Sequence, residues 1–236
     1  YLQGVTMKRR DIIKLSSFTL LPAVALQAHA QPKAFPIEQF FDAVNKPQTL
    51  QLDAQKGQKV EIRQFFAYWC PHCHHLEPSL LAWAKKLPPS IRLVKNPVAF
   101  NAQQRPLVNL FYVLDTFEQK EQLHQAVFNA IHGDRSLTQN VYSKDKDLQE
   151  WAVKTLKLDA TKVKDLWGSF SIQNFVKSSQ DYVVNYELDG IPAFVVQGKH
   201  LTGPSRVSKG MRNANKDEVY NVLFQSLSQV AAVYDR

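Results

Sequence analysis

The chain has 236 residues, 44% of them apolar, enough for one domain or for one domain with a sizeable insertion. Its formal charge of +8 is spread along the sequence with no Arg-rich helix or aromatic-and-basic groove, which argues against a nucleic-acid partner and for a solvated, lysine-bearing face. Only two cysteines are present, and their close spacing makes them a redox pair before it makes them a simple structural bridge.

Residues 1–30 read as upstream residues plus an export signal peptide. Tyr1 to Thr6 precede Met7, Lys8-Arg9-Arg10 supplies the charged start, Leu15 to Leu26 is a moderately apolar run, and Ala28-His29-Ala30 is an A-x-A cleavage pattern. The run is too short for a membrane span. Cleavage after Ala30 leaves Gln31 first and lowers the charge to +5, because Lys8, Arg9, Arg10 and Lys14 depart with Asp11. Arg9-Arg10 also resembles a twin-arginine signal, but Ile12-Ile13 stand where that pattern has Phe-Leu, so the export route stays open.

The segment from Gln31 to Lys59 is punctuated by proline, with a short edge strand expected at Thr49 to Leu52. Val60, Ile62, Phe65, Phe66 and Tyr68 then form a β-branched and aromatic run that predicts a buried strand. A helix follows at once, with Leu76, Leu80, Leu81, Trp83, Ala84 and Leu87 at steps of three and four, until Pro88-Pro89 stops it. Ile91 to Lys95 predicts a further strand, ending near Asn96-Pro97. From Ala102 to Asp181 apolar residues recur at helical steps, as in Leu107, Leu110, Phe111 and Leu114, and Asp159 or Thr161 can cap a helix running through Trp167. Strand character returns at Phe194 to Val196, with a hairpin partner around His200-Leu201 turned by Gln197-Gly198. The last helix has Asn215 and Glu218 at capping-box spacing and a stripe of Val219, Leu223, Leu227 and Val230.

Both cysteines, in Cys70-Pro71-His72-Cys73, fall at the junction of the first strand and its helix. In that first helical turn the backbone N–H groups are unpaired and proline is tolerated, so a thiolate at Cys70 gains hydrogen bonds and the positive end of the helix dipole, with His72 able to add a donor or a charge. Four readings fit the spacing. A structural disulfide closes so small a loop that it stabilises a fold by only roughly 1–2 kcal/mol. Cys70-x-x-Cys73-His74 also satisfies the covalent haem pattern, although an aromatic strand directly before it is not what haem attachment needs. A metal site could draw on the cysteines with His72, His74 and His75, but no second ligand pair follows at zinc-finger spacing. The fourth is a redox dithiol, for which strand, C-x-x-C and helix is the expected order. His74 and His75 read most simply as solvent-facing helix residues.

The run FFAYWCPHCHHLEP resembles the active-site segment of the DsbA family of periplasmic thiol oxidases, in which Pro-His is the characteristic dipeptide between the cysteines. Gly190 to Val196 resembles the loop and strand that bring a cis-proline, here Pro192, against those cysteines in thioredoxin-fold proteins. The resemblance implies an α/β thioredoxin fold with an inserted all-helical subdomain: residues 31–101 and 182–236 thioredoxin-like, 102–181 the helical insertion. It further implies a dithiol oxidase that donates a Cys70–Cys73 disulfide to newly exported Cys-containing proteins, without another cofactor or a metal, as a periplasmic monomer reoxidised by a quinone-linked membrane partner of the DsbB kind. Cys70, Cys73, His72 and Pro71 would be the reactive segment, and Ile191 and Pro192 would meet substrate. A disulfide isomerase or reductase is the nearest enzymatic alternative, and a haem or metal-binding module the non-enzymatic one.

One position departs from the family. Six residues before Cys70 the family has a buried glutamate thought to assist proton transfer, paired with a lysine that Lys95 matches; this sequence has Gln64. Gln64 cannot ionise, so a carboxylate–lysine relay is not expected and proton exchange at Cys73 would use water or another group; Gln64 and Lys95 are carried as candidate proton-transfer residues, with a hydrogen-bonded core amide as the alternative reading of Gln64.

Overall fold

The computed structural model describes residues 37–236, so the expected signal peptide and cleavage site lie outside the described residues. Five strands form one mixed sheet in the order β1-β5-β4-β2-β3. These are β1 (Asp42–Ala43), β2 (Val60–Phe66), β3 (Ile91–Pro97), β4 (Ala193–Val196) and β5 (His200–Thr202). The pair β2–β3 is parallel and runs from Val60 opposite Ile91 to Phe66 opposite Pro97, while β2–β4, β4–β5 and β1–β5 are antiparallel. All seven residues of β2 are buried, as a central strand covered on both faces requires.

Alternation along β2 divides the core. Val60 and Ile62 pack with Leu76 and Leu80 of α1 (Pro71–Ala84) and with Leu223 and Leu227 of α9 (Lys216–Tyr234). On the other face Arg63 lies 4.1 Å below the Tyr182 ring and Phe65 meets Tyr186 edge-on at 5.6 Å, which seats α7 (Phe170–Asn185) against the sheet. Arg63 is 2% exposed and is held by Glu61, whose Oε1 accepts the Arg63 Nε–H at 2.9 Å and lies 2.8 Å from Nη2, and by Asn96 Oδ1 at 3.4 Å.

Between β3 and β4 the chain is helical. The elements are α2 (Arg105–Leu114), α3 (Lys120–His132), α4 (Gln139–Tyr142), α5 (Asp145–Thr155), α6 (Ala160–Trp167) and α7. Asp159 caps α6 by accepting the Lys162 N–H at 2.6 Å. The last helix continues past the expected boundary at Asp181 to Asn185, because Tyr182 and Tyr186 are the residues that grip Arg63 and Phe65.

The edge strand expected at Thr49 to Leu52 is not a strand. Its backbone is held by side chains instead: the Gln51 N–H donates to Glu61, its carbonyl accepts from Arg92, and Thr49 O accepts from the Tyr182 hydroxyl at 3.3 Å. The true edge is Asp42–Ala43, two residues pairing with Leu201 and His200. The β4–β5 hairpin turns at Gln197 and Gly198, both with left-handed φ (52° and 65°), and the Asn215–Glu218 capping box of α9 is complete in both directions. A short helix the sequence did not suggest, α8 (Pro204–Gly210), joins β5 to α9.

Candidate active site

Cys70 ends the β2–α1 connection and serves as N-cap of α1. Its Sγ occupies the position usually taken by a Ser or Asp oxygen and accepts the Cys73 N–H at 3.4 Å. Pro71 follows at the first helical position, where a missing N–H costs nothing. The loop before β4 lies over the sulfur. Cys70 Sγ is 3.9 Å from the Ile191 carbonyl, and the Ile191–Pro192 peptide is cis. That cover makes Cys70 only 4% exposed; Cys73 is fully buried.

The two thiols are free and electrostatically unequal. Hydrogen bonding from the Cys73 thiol is the main influence on Cys70; burial opposes it, and the backbone N–H groups of Cys73 and His72 add to it, leaving the Cys70 pKa lowered to about 7. Burial pushes the Cys73 thiol well up, and the neighbouring Cys70 sulfur and the Glu77 carboxylate push the same way. One sulfur is thus poised as a thiolate and the other holds its proton. Beside them a groove of 620 Å³ is lined by His72, Gly190, Ile191, Pro192, Val219 and Tyr220. Gly203 lets β5 close against this loop, since a Cβ there would stand 2.8 Å from the Pro192 carbonyl.

Comparison with known proteins agrees with this geometry. Residues 43–109 match the thioredoxin family model and residues 107–214 match the DSBA-like thioredoxin domain. The thiol:disulfide interchange protein DsbA of Burkholderia cepacia is 36% identical over 190 residues, covering 79% of this chain and 86% of that protein. DsbA of Bordetella pertussis is 39% identical over 146 residues, covering 62% and 67%. The chain belongs to the DsbA family. Its fold matches the crystal structure of Pseudomonas aeruginosa DsbA with a TM-score of 0.66 at 22% identity, over 82% of this chain and 93% of that one. The oxidoreductase NmDsbA1 from N. meningitidis gives 0.65 at 23%, over 83% and 92%. A DsbA-family protein with this dithiol is a thiol:disulfide oxidoreductase acting through a redox-active disulfide.

The structure brings Cys70, Pro71, His72, Cys73, Ile191 and Pro192 together, and it sets Gln64 and Lys95 opposite each other on β2 and β3. Gln64 is buried as expected, but neither amide atom has a hydrogen-bond partner, so it is not a hydrogen-bonded core amide. Lys95 stands opposite Gln64 in the β2–β3 register, yet its Nζ pairs with Glu77 of α1. A carboxylate–lysine pair is therefore present after all, with the carboxylate supplied from the helix and not from the strand.

His75 is exposed, but His74 is not the solvent-facing residue expected. Its ring stacks on His132 of α3 at 4.9 Å and 16°, and His132 Nε2–H donates to the Tyr68 carbonyl at 2.7 Å. The Tyr68 hydroxyl in turn shares a hydrogen bond with His124 Nδ1. Sequence reading missed His124 and His132; the signal was two histidines eight apart on the apolar stripe of the same helix. Among the described residues no group of three or more His, Cys, Asp or Glu side chains is placed to hold a metal ion.

Proposed function

We propose that the protein is a dithiol oxidase, acting in the periplasm on newly exported proteins with paired thiols and needing no cofactor beyond the Cys70–Cys73 disulfide. The observation that carries this reading is the unequal thiol pair under the Ile191 carbonyl. A substrate thiolate attacks Cys70 Sγ, the Cys70–Cys73 bond breaks, and Cys73 leaves with the electron pair and takes up a proton. A second substrate thiolate attacks the first substrate sulfur and expels Cys70 as a thiolate, so the substrate loses two electrons and the protein gains them. A quinone-linked membrane protein of the DsbB kind is the fitting reoxidant. The groove beside Ile191 and Pro192 suits an extended substrate segment, whose backbone can pair with that of Ile191. The monomer acts alone in this scheme, with residues 31–101 and 182–236 carrying the dithiol and the helical insertion 102–181 flanking it through His132.

The direction follows from the Cys70 thiolate. Its folded pKa lies below the ordinary value of 9.0, so the stabilisation it supplies is complete above that value and is lost as pH falls through about 7. Only the reduced protein has this thiolate. Stabilising that thiolate favours the reduced form over the disulfide, which makes the disulfide oxidising. Iodoacetamide should therefore modify Cys70 with a pH midpoint near 7 and leave Cys73 slow, and the redox potential against glutathione should lie on the oxidising side. Midpoints near that of a free thiol for both cysteines, with a reducing potential, would point to a reductase.

His72 is exposed and lines the groove, and its backbone N–H already serves Cys70. Replacing it with leucine keeps that N–H and removes a polar, protonatable ring from the same turn. His72→Leu should raise the Cys70 alkylation midpoint by about one unit and make the protein less oxidising. An unmoved midpoint would assign the acidity wholly to the helix terminus and the Cys73 thiol.

A further inference from the structure

The groove beside the dithiol carries charges that the exchange chemistry leaves unused. Its wall includes Lys209, in the last turn of α8, and Lys216, in the first turn of α9, both exposed. We propose that these two lysines select substrate segments with an acidic residue close to the reactive cysteine, beside an apolar wall that takes the uncharged neighbours. This names the substrate class of the exchange reaction proposed above and rests on it.

The groove joins the lysines to the chemistry. Ile191, whose carbonyl lies 3.9 Å from Cys70 Sγ, and Pro192 line the same 620 Å³ space as both lysines. A segment whose cysteine meets Cys70 along Ile191 therefore shares that space with two ammonium groups. Val219 and Tyr220, both buried, supply apolar surface between them and the loop before β4 with a place for an uncharged side chain. Lysine suits such a border, because its alkyl stem can lie along apolar surface while the ammonium stays in water.

Nothing in the protein neutralises this pair. Among the described residues neither Lys209 nor Lys216 takes part in an ion pair. The acid on the groove wall is Asp189, and it is already engaged: Arg206 Nη1 lies 3.5 Å from its carboxylate, and Arg206 also binds Asp42. Asp217 and Glu218 follow Lys216 on α9, but neither lines the groove, and the Glu218 carboxylate accepts the Asn215 N–H in the capping box. Helix stability accounts for only one of the two positions. A cation in the last turn of α8 suits the helix dipole, whereas Lys216 opens α9, where the dipole disfavours a positive charge. A bound anion beside Lys216 offsets that cost. Attraction between exposed charges is modest and screened by salt, and it acts mainly on the rate of encounter, so the selection is graded.

The test mixes the oxidised full chain with reduced peptides that each carry two cysteines and differ at one residue near the first cysteine, which is glutamate, leucine or lysine, placed in turn on either side. Second-order rates of peptide disulfide formation are followed by quenched flow and mass spectrometry. Each rate is divided by that peptide's rate with hydroxyethyl disulfide, an uncharged oxidant, which cancels differences in thiol acidity. On at least one side the glutamate peptide should react about five- to tenfold faster than the lysine peptide at low ionic strength, and the ratio should shrink to about twofold in about 0.5 M salt. Lys209→Gln with Lys216→Gln should bring the low-salt ratio to about two. Lys154→Gln with Lys164→Gln removes the same charge from α5 and α6, outside the groove, and should keep the parent ratio. Equal rates for the glutamate and lysine peptides on both sides overturn the proposal, as does the same loss of preference in both double variants. A leucine peptide that outruns the other two equally also overturns it, by making the groove purely apolar. Failure to oxidise any of the peptides would overturn the exchange reaction itself.

Discussion

Cys73→Ser should turn the protein into a trap. Serine keeps the N–H that caps Cys70 but cannot form a sulfur–sulfur bond, so a glutathione or peptide thiol joined to Cys70 has no internal nucleophile to displace it. Spontaneous release in the absence of added thiol should fall by about a thousandfold or more, and the adduct should persist on non-reducing gels and in intact-mass spectra. Cys70→Ser should give the opposite picture. The remaining thiol is fully buried with its pKa pushed up, so neither adducts nor rapid alkylation should appear. Equal adduct formation by the two variants would show that the cysteines have interchangeable roles.

The second large effect concerns stability. Glu61→Ala removes the carboxylate that holds Arg63 inside the sheet, leaving a guanidinium with only Asn96 Oδ1 at 3.4 Å and the Tyr182 ring at 4.1 Å. An uncompensated buried charge of this kind typically costs about 3–5 kcal/mol. The same change frees the Gln51 N–H, which Glu61 also accepts, so the segment before β2 should loosen. Replacing Glu61 and Arg63 together with leucine and methionine should cost much less, because no charge is then stranded. Urea unfolding of the three variants measures this directly; a loss below about 0.5 kcal/mol in Glu61→Ala would mean that Arg63 finds another partner.

What the sequence revealed was local. Val60 to Phe66, the helical stripe after Cys73, the Gln197-Gly198 turn and the Asn215–Glu218 box each announce themselves within one element, and each forms, although α1 ends at Ala84, before Leu87 of the expected stripe. What it hid depends on meetings across the fold. A two-residue edge strand at Asp42–Ala43 carries too little pattern to detect, whereas Thr49 to Leu52 carries strand-like residues whose backbone is claimed by Glu61, Arg92 and Tyr182. The near-burial of Cys70 comes from a loop 121 residues away. The Glu77–Lys95 pair joins α1 to β3, and neither element shows it alone.

The N-cap role of Cys70 ties the chemistry to the mechanics of the helix end. In the reduced protein the sulfur that meets substrate also restrains the first turn of α1 through the Cys73 N–H. A sulfur shared with a substrate is a far weaker acceptor than a thiolate, so forming the mixed disulfide slackens that turn, and expelling Cys70 as a thiolate tightens it again. The helix end therefore acts as a spring that is stretched while cargo is attached and recoils on unloading. Amide exchange at Cys73 should rise in the loaded protein and fall on release, so a single backbone proton reports whether the enzyme is holding a substrate.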